Sequence, residues 1–264
     1  MTQTSIEHAQ WVEHQPVASI GTGGPIEFLL PGSGDDYLDL ANTYLFVRAR
    51  VLKGDGGLLP AAAPVGPVNN WMHSLFSQVD VSLNGTLVTP STNTYAYRAY
   101  IETLLSHGAE AKNSQLTSAL WYKDTAGHMD ATDKENKGLL KRKDYTTGSR
   151  LVDMMVRLHV DLFFRDRYLL NGVDVKIRLV QSKNAFALMA GGDNPDYKIS
   201  IDEAVLFARK AKLNRAVYMA NVKALDKWTA KYPLRRVHCK MFSIPRGASR
   251  THTKTFIWVS FRRE

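Results

Sequence analysis

The chain has 264 residues, 44% of them apolar and 22% charged, enough to bury the core of one large all-β domain or two small ones. A single cysteine, Cys239, excludes an internal disulfide framework and a Cys-cluster zinc site, and no stretch approaches the roughly 20 apolar residues of a membrane helix. The net charge of +9 is unevenly spread: residues 1–133 carry 6 Lys and Arg against 13 Asp and Glu (−7), residues 134–264 carry 28 against 12 (+16), which fits a polyanion near the second half, self-assembly through unlike halves, or charged loops that keep a protein soluble.

The N-terminal MTQTSIEHAQWVEHQP has neither a basic nor an apolar leader region, so no signal peptide is expected. With one cysteine, a reducing place of synthesis fits. No internal repeat or low-complexity tract is visible. Pro25–Gly32 reads as a first short strand. Tyr37–Gly54 holds a second, with Tyr44, Phe46 and Arg48 alternating against Leu45, Val47 and Ala49. Gly54–Asn70, rich in proline and glycine, is a long loop. In Gln78–Pro90, Val79, Val81 and Leu83 alternate with Asp80 and Ser82 before Asn84-Gly85, the dipeptide of a type I′ hairpin turn. Asn84-Gly85-Thr86 is also a glycosylation sequon, of little use without a secretory leader.

Thr92–Gly108 predicts a helix with Tyr97, Tyr100, Ile101, Leu104 and Leu105 on one face and Gly108 as its stop. Ser106–Arg150 is polar and reads as an insertion outside the core. Arg150–Asp166 alternates at Val156, Leu158 and Val160. A second Asn-Gly turn (Asn171-Gly172) leads into Val173–Ser182, where Val173, Val175, Ile177 and Leu179 share a face. Tyr197–Asn214 is a further strand with Val205 and Phe207 on one side. Ala216–Pro233 has helical periodicity, and Arg235–Pro245 and Lys254–Arg263 read as strands. Short strands with a helix and a long excursion between them predict an all-β sandwich more elaborate than an immunoglobulin-like one.

The search for chemistry returns little. Gly21–Gly24 (GTGG) and Gly247–Lys254 lack the P-loop spacing, and the eight histidines form no paired metal face. His159 reads as a solvent-facing or hydrogen-bonded strand residue. Cys239 lies between His238 and Lys240 on an expected strand, where His238 would point to the opposite face, so a buried structural thiol is expected. Asp35, Asp36 and Asp39 read as a solvated turn without the spacing of a calcium loop. Arg235-Arg236, Arg246, Arg250–Lys254 and Arg262-Arg263 interleave with Phe256, Trp258 and Phe261, which suits a nucleic-acid surface or a strand with an aromatic core face. No catalytic, cofactor-binding or metal-binding residue is assigned, and the chain is not expected to be an enzyme.

Several stretches together resemble the capsid proteins of Maverick/Polinton elements and related adintoviruses. They are Trp71–Gly85 (WMHSLFSQVDVSLNG), TYAYRAYIETLL, Leu120–Asp130 (LWYKDTAGHMD), Asp161–Phe186, YKISIDEAVLFARKAKLN and Lys231–Gly247. The resemblance implies a double jelly roll, two eight-stranded sandwiches in one chain, forming homotrimers that tile an icosahedral shell. It also implies a minor (penton) capsid protein and packaged DNA as partners, a place in the virion capsid after synthesis in the host cytoplasm, and shell assembly in the host nucleus or cytoplasm. Two rolls need on the order of 200 residues each. The expected division is therefore a first roll over 1–195, carrying insertions at 92–150, and the start of a truncated second roll over 196–264. The nearest rivals are the single-jelly-roll penton protein and a nucleic-acid-binding β-protein that uses the basic second half.

Overall fold

Strands form here where apolar residues alternate and leave one face to bury. The computed structural model describes residues 5–241, apart from 22, 193 and 194. Its elements in chain order are β1 (Ile6–His14), β2 (Ile26–Leu30), β3 (Tyr37–Lys53), β4 (Val65–Pro67), α1 (Trp71–Ser74), β5 (Phe76–Leu83), β6 (Thr86–Leu87), α2 (Tyr95–Ser106), α3 (Ala109–Asn113), α4 (Lys137–Thr146), β7 (Val152–Val156), β8 (Val175–Gln181), α5 (Asn184–Ala187), β9 (Leu188–Ala190), β10 (Tyr197–Leu213) and α6 (Arg215–Leu225).

Two antiparallel four-stranded sheets, ordered β1-β10-β3-β7 and β2-β8-β5-β6, pack face to face, and β4 with β9 makes a two-stranded accessory. The chain passes repeatedly from one sheet to the other, so sequence neighbours are rarely sheet neighbours. This is the jelly-roll arrangement. Between the sheets lie Phe28 from β2, Leu45 and Val47 from β3, Val81 from β5, and Ile177 and Leu179 from β8, all fully buried. The β5–β6 hairpin turns on Asn84 and Gly85, both at positive φ (46° and 81°), as the type I′ reading requires.

β10 shows how a bulge redirects a strand. Its register against β3 shifts between Ile201 and Glu203 and again between Phe207 and Arg209. A one-residue slip exchanges the two faces. The core residues accordingly change from Ile201 to Ala204, Leu206 and Ala208. The expected pair Val205 and Phe207 therefore does share a side, but not the one that enters the core.

Several expectations are corrected. Residues 6–14 form an edge strand, because the backbone of β10 offers them a pairing partner from Leu206 to Leu213. The division after residue 195 cuts the first sheet, since β10 is bonded on both sides, to β1 and to β3. One eight-stranded roll is thus complete between residues 6 and 213, and residues 214–241 add α6 but no strand. Residues 235–241 lack strand pairing, and the expected strand at 254–263 lies outside the described residues. The segment 106–150 does reach the core: Ala119 and Leu120 belong to it. Arg142 is buried beside it, where Nε donates to Pro67 O at 2.7 Å and Nη2 to Asp124 Oδ1 at 2.6 Å. Asp39 is not in a solvated turn: it is buried and accepts from Arg209 Nη1 at 2.8 Å and Asn42 Nδ2 at 2.9 Å.

Because β2 has Phe28 wholly inside and Leu29 half outside, the two positions should respond very differently. Phe28→Ala should lower unfolding stability by about 3–5 kcal/mol, and Leu29→Ala by no more than about 0.5 kcal/mol. Urea titration followed by circular dichroism measures both.

Candidate functional site

The connection from β6 to β7, residues 88–151, holds most of the helical structure of the chain. Its principal helix, α2, is inverted relative to the expected packing. The face turned inward carries Tyr95, Ala96, Ala99 and Thr103, while Tyr97, Ile101, Leu104 and Leu105 point out, Leu105 being 78% exposed. Tyr100 alone of the expected set is half-buried, its ring against that of Trp121 at 5.1 Å. Periodicity identified the helix correctly but could not tell a core face from a docking face, because both are apolar. Gly108 does not cap it in a left-handed conformation; its backbone is extended.

The inward face is anchored by a polar network. Arg98 reaches Glu102 Oε1 with Nε at 2.9 Å and Asp161 Oδ1 with Nη2. The other Glu102 oxygen accepts from His159 Nδ1 at 2.7 Å. A carboxylate can only accept, so this nitrogen carries the proton, and His159 Nε2 is left facing the Thr103 hydroxyl at 3.4 Å. The Tyr95 hydroxyl accepts from His159 N at 3.3 Å and lies 2.9 Å from His73 Nδ1. The imidazoles of His73 and His159 meet edge to face, with centroids 4.8 Å apart.

The electrostatics follow from burial. Desolvation pushes His73 well below the usual imidazole range, helped by the neighbouring His159. Burial alone would raise Glu102, but the hydrogen bond from His159 and the Arg98 guanidinium outweigh it and hold the carboxyl below its usual value. Desolvation raises the Tyr95 hydroxyl, which stays protonated. Each polar group is occupied by another, and the cavity alongside, about 30 Å³, has room for a water or two. The arrangement can hold a helix in place; a substrate does not fit beside it.

The outward face of α2 continues onto Phe186, whose ring meets Tyr97 edge to face at 5.4 Å. Tyr97, Ile101, Leu104, Leu105 and Phe186 make an apolar ridge on a helix whose other side is locked. Isolated exposed apolar residues are ordinary, whereas a continuous ridge is the kind of surface on which another molecule can dock.

The positions singled out in the sequence are not gathered into one site. Cys239 is half-buried and His238 exposed on an unpaired segment, not mid-strand. The Cys239 carbonyl accepts from the Thr94 hydroxyl at 3.4 Å. Of the GTGG stretch, Gly21 and Gly23 are exposed and Gly24 half-buried outside any strand or helix, and 247–254 falls outside the described residues. Among the described residues no cluster of His, Cys, Asp and Glu could hold a metal ion, and no helix is long and apolar enough to cross a membrane. His159, expected to be solvent-facing or hydrogen-bonded, is buried and hydrogen-bonded, whereas Arg98, Glu102 and Asp161 carry no sequence signal because the partners are up to 63 positions apart.

Solved structures share this architecture. A chain of the cryo-EM structure of the Sputnik virophage superposes with a TM-score of 0.58 at 13% identity, covering 81% of this chain and 50% of that one. The Faustovirus major capsid protein gives 0.53 at 10% identity, covering 85% of this chain and 57% of its own length. The fold is a jelly roll of the kind those two chains have. In sequence this jelly-roll chain is similar to the uncharacterized protein F54H12.2 of Caenorhabditis elegans, 29% identical over 197 residues, which cover 72% of this chain and 45% of that protein. The jelly-roll chain thus spans about half the length of the proteins it matches. No protein-family model matches it.

The depressed His73 fixes the sign of a pH dependence. A histidine held below its unfolded pKa adds stability that is present above about pH 6.5 and is lost as pH falls through the lower folded value. The thermal midpoint should therefore drop as pH is lowered from 6.5. In His73→Asn, whose side-chain oxygen can still accept from Tyr95, it should drop less. A calorimetric pH series on both proteins measures this.

Proposed function

We propose that this chain is a structural subunit of a viral capsid of the Maverick/Polinton kind, residing in the virion shell, and that copies associate as trimers tiling the shell. The observation that carries the reading is the pairing of a capsid-type jelly roll with an outward apolar ridge on α2, held rigid from beneath by the Arg98–Glu102–His159–Asp161 network. The fold alone supplies no function; the ridge supplies a reason for self-association. In this reading the chain is one roll of a two-roll subunit, which suits its coverage of about half of the matched proteins. The minor capsid protein and packaged DNA are the further partners. A second reading, the penton-type single-roll capsid protein, is favoured by one observation: residues 6–213 supply all eight strands of one roll.

Light scattering over a salt series, with electron microscopy of what forms, separates the possibilities. Trimers or hexagonally tiled sheets are expected for the major subunit, and pentamers for the penton reading. Ile101→Glu with Leu105→Glu should shift the assembly to monomers and leave the thermal midpoint within a few degrees, since both side chains are exposed. A wild-type chain that stays monomeric at high concentration would sink both readings.

A further inference from the structure

After α6 the chain lies across the roll as a strap. Arg167 Nη1 donates to Lys231 O at 2.9 Å, and the Tyr232 hydroxyl accepts from Leu170 N at 3.1 Å and donates to Tyr168 O at 3.2 Å. Further on, Val237 N donates to Asp161 Oδ1 at 3.4 Å, on the far side of the network beneath α2. Between strap and roll is an open cavity of about 350 Å³ whose lining includes Tyr37, Arg167, Tyr168, Asn221, Lys231 and Tyr232.

The charge of this segment is one-sided. Residues 215–240 contain seven Lys and Arg and one acid, Asp226. All seven cations are exposed, and none forms an ion pair among the described residues. The sheets behave otherwise. Arg48 pairs with Asp153 and Glu203, Arg178 with Glu27 and Asp80, and Arg209 with Asp39. What sets the strap apart is the density of exposed cations with a single acid among them and exposed aromatic side chains between them, a surface suited to an anionic partner.

We infer that the strap and the cavity beneath it bind the phosphate backbone of a polynucleotide, single strands in preference to duplex. Phosphates would meet the row of cations that includes Lys231, Arg235 and Arg236. The preference for single strands comes from the aromatics: Trp228 is 76% exposed, and three tyrosines line the cavity beside Arg167 and Lys231. Aromatic faces among cations are what unpaired bases stack upon. An anionic lipid surface fits less well. An interfacial helix buries an unbroken apolar side in the lipid, whereas on α6 the exposed Met219, Val222 and Leu225 are joined on their side by Arg215 and the C-cap Asp226. The most exposed aromatic, Trp228, lies on the strap beyond the helix. The inference does not rest on the capsid reading, because binding is measured on the purified chain whatever its mass.

The test titrates the full chain into a labelled oligothymidylate of about 20 nucleotides by fluorescence anisotropy, from about 50 to 200 mM salt. Affinity should fall steeply with salt. Lys231→Ala with Arg235→Ala and Arg236→Ala should weaken binding about tenfold or more and flatten the log–log salt slope by about 2, three phosphates at roughly 0.7 each. Trp228→Ala should weaken it about fivefold or more and remove the tryptophan quenching that accompanies binding. Lys123→Ala with Lys134→Ala and Lys137→Ala, three exposed cations of the β6–β7 connection, should bind as the wild type does. Circular dichroism melts establish that each variant is folded. Strap variants that bind like wild type, or no binding at the lowest salt, would overturn the inference. Capture by phosphatidylserine vesicles without oligonucleotide binding would overturn it in favour of a lipid surface, and tighter binding of the duplex would overturn the single-strand preference.

Discussion

Strands β3 and β10, each seventeen residues long, run antiparallel through the middle of one sheet, and every other part of the roll is placed by that pairing. β1 can join only along the free edge of β10, and β7 only along the free edge of β3. The inner faces of the pair, Leu45, Val47, Ala49 and Val51 against Ala204, Leu206 and Ala208, form the floor on which the second sheet packs. Where the register slips at Arg209, the side chain turns to the buried Asp39 and also covers the Trp11 ring at 5.7 Å. The irregularity thus ties the edge strand to the centre. Arg48 does the same on the outer surface by bridging Asp153 of β7 and Glu203 of β10; both partners are exposed, so it adds register more than stability.

The helical connection from β6 to β7 obeys a different rule. A surface helix ordinarily buries its apolar stripe and shows its polar one. α2 buries Tyr95, Ala96 and Ala99 but leaves a second apolar face outside, and the cost of partly enclosing Arg98 and Glu102 against His159 is offset because each finds a charged or hydrogen-bonding partner. Such a network is all or nothing. Losing one member leaves the others buried without partners, so the helix sits in one position instead of sliding over a greasy contact. A face meant to meet another molecule needs that definition more than it needs additional stability.

What could be read from the residues alone divides along these lines. β5 with its Asn84-Gly85 turn, β8 and the second half of β3 were legible because one face is buried and one is not, so burial writes itself as alternation. β1 was not: an edge strand held by backbone pairing keeps His8, Gln10 and Glu13 outside and has no apolar rhythm to show. The bulges of β10 hid which of its faces is internal. The ridge on α2 was legible as apolar but not as external, and nothing in the polar stretch 106–150 marked Arg142 as buried, because the carbonyls that receive it come from Pro67 and Tyr122. Local pattern reports burial only where burial is the sole reason for being apolar, and interfaces break that equivalence.

The pairing of β1 with β10 carries a consequence for the order of events during synthesis. Ile6 leaves the ribosome about 200 residues before its partner, Leu213. At a translation rate of roughly 5–20 residues per second, the N-terminal strand waits on the order of ten seconds or more for the strand it must pair with. Throughout that interval β3 also lacks its central neighbour, and the growing chain presents two unmatched edges to its surroundings. A topology so rich in distant contacts folds slowly once complete and is exposed to association with other nascent copies before then. The polar, histidine- and glutamate-bearing character of β1, which made it invisible as a strand, is what keeps a waiting edge from pairing with the wrong one.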